Sequence, residues 1–244
     1  MNQLVIDAGN SKVKIAIFKN GEPIHKAGQK ALSLPQLKSL INDFKPVATI
    51  LSSVVDLDQS VLEALKTLPK SIILDAKTPL PFKNKYATPL TLGRDRLANA
   101  AGAQSLFPER NVLIIDAGTC LKFDFINEQS EYLGGAISPG LNMRYRALNH
   151  YTDQLPLLTP VETTPFIGDS TESSIHSGII NGMTAEISGI IDQYEKAFVN
   201  VQLILTGGNA RFFLNHLKKS IFASPELTLK GLQSILQFNE PNDQ

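Results

Sequence analysis

The chain has 244 residues, 43% of them hydrophobic and 19% charged, with 23 basic residues balancing 23 acidic ones. This is the profile of a soluble, folded chain of one large domain or two small ones, and it excludes intrinsic disorder. A net charge of zero argues against nucleic acid as a partner, because binding a phosphate backbone needs an excess of basic surface. Cys120 is the single cysteine, so no intrachain disulfide forms and a reducing, cytoplasmic setting is expected. The opening residues MNQLVIDAG lack the basic and apolar regions of a signal peptide, and no run of 18 apolar residues suggests a membrane span. The four histidines, His25, His150, His176 and His216, show no metal-ligand spacing, which argues against a zinc site.

In chain order, residues 4–11 read LVIDAGNS, an apolar strand ending in Asp7-Ala8-Gly9. A second strand, Val13 to Phe18, alternates apolar and polar residues, and Asn20-Gly21 is the preferred pair for a type I′ hairpin into a third strand ending near Gly28. Ser33 with Gln36 forms a capping box for a helix to about Phe44. A strand (Ala48 to Val54), a helix capped by Asp58 and a strand (Ile72 to Asp75) follow. A proline-rich loop with Pro79, Pro81 and Pro89 leads into LGRDRLANAA, residues 92–101, at the start of another helix.

Residues 113–120, LIIDAGTC, then repeat the opening motif close to half a chain length later. The second copy continues with strands Leu121 to Ile126 and Tyr132 to Ile137, a helix from about Pro139 to Asn149, and a long helix ending at Lys196. A strand (Val201 to Thr206), a helix to Lys219 and a short strand near Ile221 complete it. Each half reads β-β-β-α-β-α-β, so an α/β fold of two similar halves is expected, residues 1–108 and 109–244, packed with a cleft between them. The tail, Asn239–Gln244, is expected to fray.

A glycine after the strand lets backbone N–H groups approach a phosphate closely, and Asn10, Ser11 and Thr119 add donors without bulk. A carboxylate repels a polyphosphate, so Asp7 and Asp116 make sense near one only with a cation between them and the nucleotide. Lys14 either reaches the phosphates or is a solvated strand lysine. The turn in LILTGGNA, residues 203–210, is either structural or a place for a nucleotide's ribose or base. Asp95 is either an ordinary helix acid favoured by the dipole or, flanked by Arg94 and Arg96, a base beside an anion-binding pair.

Together DAGNS with Lys14, GRDR at Gly93–Arg96, DAGT at Asp116–Thr119, GGAISPG at Gly134–Gly140 and TGGNA at Thr206–Ala210 resemble type III pantothenate kinases, in order, from Leu4 to about Phe238. The resemblance implies a duplicated ribonuclease-H-like fold of the actin-like ATPase, Hsp70 and sugar kinase superfamily. It also implies transfer of phosphate from ATP, with Mg2+, to pantothenate in the first step of coenzyme A biosynthesis. Asp7, Ala8, Gly9, Asn10, Ser11, Lys12, Val13 and Lys14 would then form the first phosphate loop, and Thr119 would touch ATP. Asp95 would accept the proton of the pantothenate hydroxyl, with Tyr86, Gly93, Arg94, Arg96 and Thr171 around the substrate. Asp116 would hold a monovalent cation, potassium or ammonium.

The resemblance further implies a homodimer in which the neighbouring subunit completes the pantothenate pocket. The helix over 171–196 carries Gly178, Gly182, Ala185 and Gly189 on one side. That stripe serves either the subunit contact or close packing on the chain's own sheet. One departure stands out: the chain reads DAGTCLKFD, with Lys122 where a threonine is usual, and Lys122 is expected to touch none of the residues assigned above. Two rival readings share the fold: a phosphatase or polyphosphate hydrolase using water as acceptor, and a non-catalytic nucleotide-binding regulator.

Overall fold

The structure, a computed structural model, describes Met1–Glu240. It resolves into two compact units, one of Met1–Pro108, Ser130–Leu133 and the chain from Glu226 on, the other of Glu109–Gln129 and Gly134–Pro225.

The first unit is built on β1 (Asn2–Ala8), β2 (Val13–Lys19), β3 (Glu22–Gln29), β4 (Ala48–Ser53) and β5 (Ser71–Ile73), in the order β3-β2-β1-β4-β5. β1 is antiparallel to β2 and parallel to β4, which puts it at the centre, where both of its faces are covered. Leu4, Val5 and Ile6 are accordingly all fully buried. The β2–β3 turn takes the expected left-handed pair, φ 52° at Asn20 and 83° at Gly21. Helices α1 (Leu34–Phe44) and α2 (Gln59–Lys66) supply Leu37, Val61 and Leu65 to the core formed with Leu4, Ile6, Ile15 and Ile17. Their caps are those expected: Gln36 Oε1 accepts from Ser33 N at 3.0 Å, and Asp58 Oδ1 accepts from Ser60 N at 2.8 Å.

The same unit contains α3 (Arg94–Leu106) and α7 (Leu227–Phe238), and a short β6 (Lys83–Asn84) paired in parallel with the first residues of β9 (Glu131–Pro139). α7 packs on β1, β4 and α3. It was not foreseen. Its sequence starts without a side-chain cap and carries Gly231 in its interior, so neither start signal nor propensity marks it, and packing supplies what local preference does not. Asn239, expected to fray, instead donates from Nδ2 to Pro79 O at 2.9 Å, and Glu240 accepts from Gln3 Nε2 at 2.9 Å. The rest of the expected frayed tail, residues 241–244, lies outside the described residues.

The second unit repeats the arrangement with β7 (Val112–Ala117), β8 (Cys120–Ile126), β9, β10 (Gln202–Thr206) and β11 (Phe222–Ala223), in the order β9-β8-β7-β10-β11. The strand order and the antiparallel and parallel neighbours of the central strand match those of the first sheet, the topology of a duplicated ribonuclease-H-like fold. Helices α4 (Leu141–His150), α5 (Thr171–Ala197) and α6 (Ala210–Leu214) complete the unit. α6 ends at Leu214, well short of the expected end at Lys219.

α5 buries Ile180, Met183, Ile187 and Ile191 against the sheet. Its glycines are on the other side. A Cβ at Gly178, Gly182 or Gly189 would meet nothing within 4 Å, so close packing on the chain's own sheet is not their role.

In the first unit two glycines set the approach of α3 and α7. A Cβ at Gly231 would lie 1.7 Å from Ala98 O, and one at Gly102 would lie 2.6 Å from Leu227 O, so the helix backbones touch directly. Gly231→Ala must push α7 away from α3 and should destabilise the protein by about 1–3 kcal/mol or more, read as a lower midpoint in denaturant unfolding. An unchanged midpoint would contradict this crossing.

Candidate active site

In the first unit the last two residues of β1 are Asp7, a carboxylate only 8% exposed, and Ala8, and the chain then reverses: Gly9 N donates to Lys12 O at 3.2 Å. Asn10, Ser11 and Lys12 form the exposed lip of this turn, while Val13 is buried. The β1–β2 register sets Lys14 directly opposite Asp7 and Val13 opposite Ala8, so Asp7 and Lys14 share one face of the sheet. On the other side of β1, Ser52 is paired with Asp7 and Ser53 with Ala8.

The Gly-Arg-Asp-Arg segment arrives beside this turn. Arg94 Nη1 donates to Ser53 O at 2.6 Å, tying the start of α3 to the strand next to Asp7. Asp95 occupies the first turn of α3, where the helix dipole favours its charge, and its Oδ1 accepts from Arg96 N at 2.9 Å. Gly93 leaves room for that carboxylate as placed: a Cβ there would sit 2.7 Å from Asp95 Oδ1. Arg96 is buried, with its guanidinium carbon 5.5 Å from the centre of the Tyr86 ring. Tyr86 in turn lies 6.2 Å from Tyr132, centroid to centroid. Asp7, Arg94, Asp95, Arg96 and Tyr86 thus belong to one unit and are linked through Ser53 and the start of α3.

The second unit builds its own cluster. Asp116, also 8% exposed, ends β7, and Gly118 N donates to Cys120 O at 3.1 Å in a turn one residue shorter than the first. Gly140, just before α4, is in direct backbone contact with this turn, since a Cβ there would lie 2.2 Å from Thr119 O. Gly207 of the Thr-Gly-Gly turn takes φ 95°, and its missing Cβ would fall 2.5 Å from Asp116 Oδ1. Asn209 N donates to Ala117 O at 2.9 Å. Thr119, the Gly140 turn and the Thr206–Asn209 turn therefore converge on Asp116.

Sequence reasoning missed two features. Ser52 beside Asp7 and Thr206 beside Asp116 occupy equivalent positions, and among the described residues each has a buried hydroxyl with no hydrogen-bond partner. The pairing of parallel strands, invisible in the chain order, is what matches them. The second feature corrects an expectation: Lys122 does touch an assigned residue. It stands opposite Asp116 in the β7–β8 register as Lys14 stands opposite Asp7, and its Nζ lies 2.8 Å from Asp116 Oδ2. The unequal turn lengths hide the equivalence of the two lysines in the sequence. At Asp116 the donor set does not fit a free monovalent cation, because one carboxylate oxygen already carries an ammonium.

Thr171 lies in the second unit, exposed at the first position of α5 after the Ser170 cap. It lines an open, largely apolar hollow of about 1230 Å³ with Arg144, Tyr151, Leu155, Gly178 and Ile179. Arg144 is held there by Glu186 and by its donation from Nε to Pro139 O at 2.9 Å. Beneath the hollow, Tyr145 and His176 Nδ1 are hydrogen-bonded at 2.7 Å, and burial pushes the Tyr145 hydroxyl up to about 12.

Two units of one topology, each with a buried aspartate near the end of its central strand before a glycine turn, define the fold shared by actin-like ATPases and sugar kinases. Solved structures with this fold include a conserved Baf family protein from Campylobacter jejuni, at TM-score 0.64 and 21% identity over 97% of this chain and 98% of that one. A ROK family glucokinase from Streptomyces griseus, in complex with glucose and AMPPNP, matches at TM-score 0.53 and 10% identity over 98% and 100%. Within that class the chain belongs to the type III pantothenate kinase family, whose model matches residues 3–193. The type III pantothenate kinase of Christiangramia forsetii is 47% identical over 239 residues, 97% of this chain and 98% of that protein.

The raised Tyr145 carries a titration signature. Its neutral form is favoured in the folded state, so the stability it contributes is complete below about pH 10 and is lost as pH rises towards 12. In an alkaline titration followed by tyrosinate absorbance, Tyr145 should ionise near pH 12, and Tyr145→Phe should remove its contribution to that phase. Loss of a different phase in the variant would contradict the assignment.

Proposed function

We infer that this chain transfers the terminal phosphoryl group of ATP to the primary hydroxyl of pantothenate, giving 4′-phosphopantothenate, the first step of coenzyme A biosynthesis. Beyond family membership, the observation that carries the reading is the link from Arg94 to Ser53. It brings the Arg-Asp-Arg segment to the strand beside the Asp7 turn, so an acceptor's base and a phosphate loop belong to one site.

In this reading the backbone and side chains of Asp7 to Lys14 cradle the phosphates, with Lys14 as a point charge. Tyr86, Gly93, Arg94 and Arg96 hold pantothenate, whose carboxylate suits a guanidinium, and Thr171 contributes where subunits meet. Asp95 is too weak a base, with a reference pKa of about 3.9, to remove an alcohol proton early. It orients the hydroxyl and accepts the proton late, as phosphoryl transfer through a loose transition state permits.

Mg2+ would come with ATP. Among the described residues no three ligating side chains cluster, so its ligands would be phosphate oxygens, water and the Asp7 carboxylate, which suits an ion that keeps much of its hydration. It would draw charge off the phosphates. A cytoplasmic setting follows from the supply of ATP, and no helix among the described residues is long and apolar enough to cross a membrane. The repeat boundary at residues 1–108 and 109–244 belongs to the same reading, and the matched strand orders support it.

The protein would work as a homodimer through α5. In support, the glycines of that helix are open, Gly178 lines one hollow with Tyr151, Ser177 Oγ donates to Phe166 O, and Tyr151, Phe166 and Ile167 are 82%, 85% and 79% exposed. Gly182→Leu should then give monomers by light scattering, with turnover of pantothenate reduced about tenfold or more and ATP binding kept. A fully active monomer at assay concentration would exclude this assembly.

The acceptor chemistry is tested at Asp95. ADP release should require pantothenate as well as ATP and Mg2+; release without pantothenate would favour a hydrolase. Asp95→Asn should keep nucleotide binding and lower kcat by about 10² to 10⁴, measured by coupled ADP release. Near-normal turnover would remove Asp95 from the mechanism.

A further inference from the structure

We propose that Lys122 is a built-in substitute for a monovalent cation, so that this enzyme works without potassium or ammonium. The inference rests on the kinase reading only in taking Asp116 to face the phosphates of ATP.

The Asp116 carboxylate is enclosed. Oδ1 lies against the backbones of Gly118 and Gly207, where added Cβ atoms would come within 3.1 and 2.5 Å, and Oδ2 pairs with Lys122 Nζ at 2.8 Å. The two side chains are 11% and 12% exposed, so water screens the pair little. The position of Lys122 is set by the sheet. It is directly opposite Asp116 in the antiparallel ladder, on the same face, and flanked by the buried Leu121 and Phe123. An ammonium so placed has the charge of a potassium or ammonium ion and cannot diffuse away. A second cation on the same oxygen would meet the repulsion of the first.

The other half of the molecule supports the assignment. There the ladder sets Lys14 opposite Asp7, and in both halves a hydroxyl residue, Ser52 or Thr206, pairs with the aspartate from the parallel side. The strand-end unit is therefore aspartate, opposed lysine and hydroxyl, twice over. An anionic ligand meeting the second turn meets a carboxylate whose opposing charge comes from the chain itself, through Lys122.

The test uses the full-length protein, freed of potassium and ammonium, with two readouts at matched ionic strength in choline chloride and in potassium chloride. One is pantothenate-dependent ADP release; the other is calorimetric binding of a non-hydrolysable ATP analogue with Mg2+. The wild-type protein should give the same turnover and the same Kd in both salts, within about twofold. Lys122→Thr should lose about tenfold or more in nucleotide affinity and turnover in choline and regain most of it in potassium. A tenfold response of the wild type to potassium overturns the proposal, as does a Lys122→Thr protein as indifferent to the salt as the wild type. If Lys122→Thr does not fold by circular dichroism, the wild-type comparison decides alone. Absence of pantothenate phosphorylation in either salt would refute the kinase reading, and the nucleotide-binding comparison would still decide the role of Lys122.

Discussion

A carboxylate buried at the end of a central β-strand must be neutralised or hydrogen-bonded, and most of what surrounds the candidate site follows from that requirement. The central strand of each sheet stops at such an aspartate, and the chain reverses immediately through a glycine. In the second unit the backbones of Gly140 and Gly207 close around the turn and leave no space for side-chain carbon. The lysine on the neighbouring strand sets its ammonium 2.8 Å from that carboxylate. A surface ion pair contributes little to stability, but one this enclosed organises the site, because removing either partner strands the other in a low-dielectric pocket.

Positioning of the Asp95 segment depends on helix contact as much as on the segment itself. α3 presents Gly93–Arg96 at its N-terminus, while its body, from Leu97 to Ala103, is buried, with α7 in direct backbone contact at Gly102 and Gly231. Small residues at the crossing let α7 lie on α3, β1 and β4 together. Arg94 then bonds to the end of β4, and Arg96 lies against Tyr86. The two arginines that flank Asp95 in the chain are thus held by different partners, one by a strand end and one by an aromatic ring, and the carboxylate sits in the helix's first turn.

The second unit uses its small residues differently. The glycines of α5 touch nothing in their own unit, whereas Gly140 and Gly207 are in backbone contact. Each glycine in a helix interior costs about 1 kcal/mol relative to alanine. The hollow that contains Thr171 opens on this same side of the unit, at Gly178.

Much of this was legible in the sequence because it is written in short range. The repeated Asp-Ala-Gly, the Asn20-Gly21 hairpin, the capping residues Ser33 and Asp58 and the Thr-Gly-Gly turn each act within a few residues, so local pattern carried both the duplication and the candidate residues. What only the tertiary structure decided came from contacts between distant segments. α7 has no start signal and exists because α3 and the sheet bury it. Ser52 and Thr206 become equivalent only when parallel strands pair. Lys122 looked incidental because a turn shorter by one residue moved it out of step with Lys14. Strand register, which sequence spacing alone does not set, brought its ammonium onto Asp116, since directly paired residues of an antiparallel ladder must share a face.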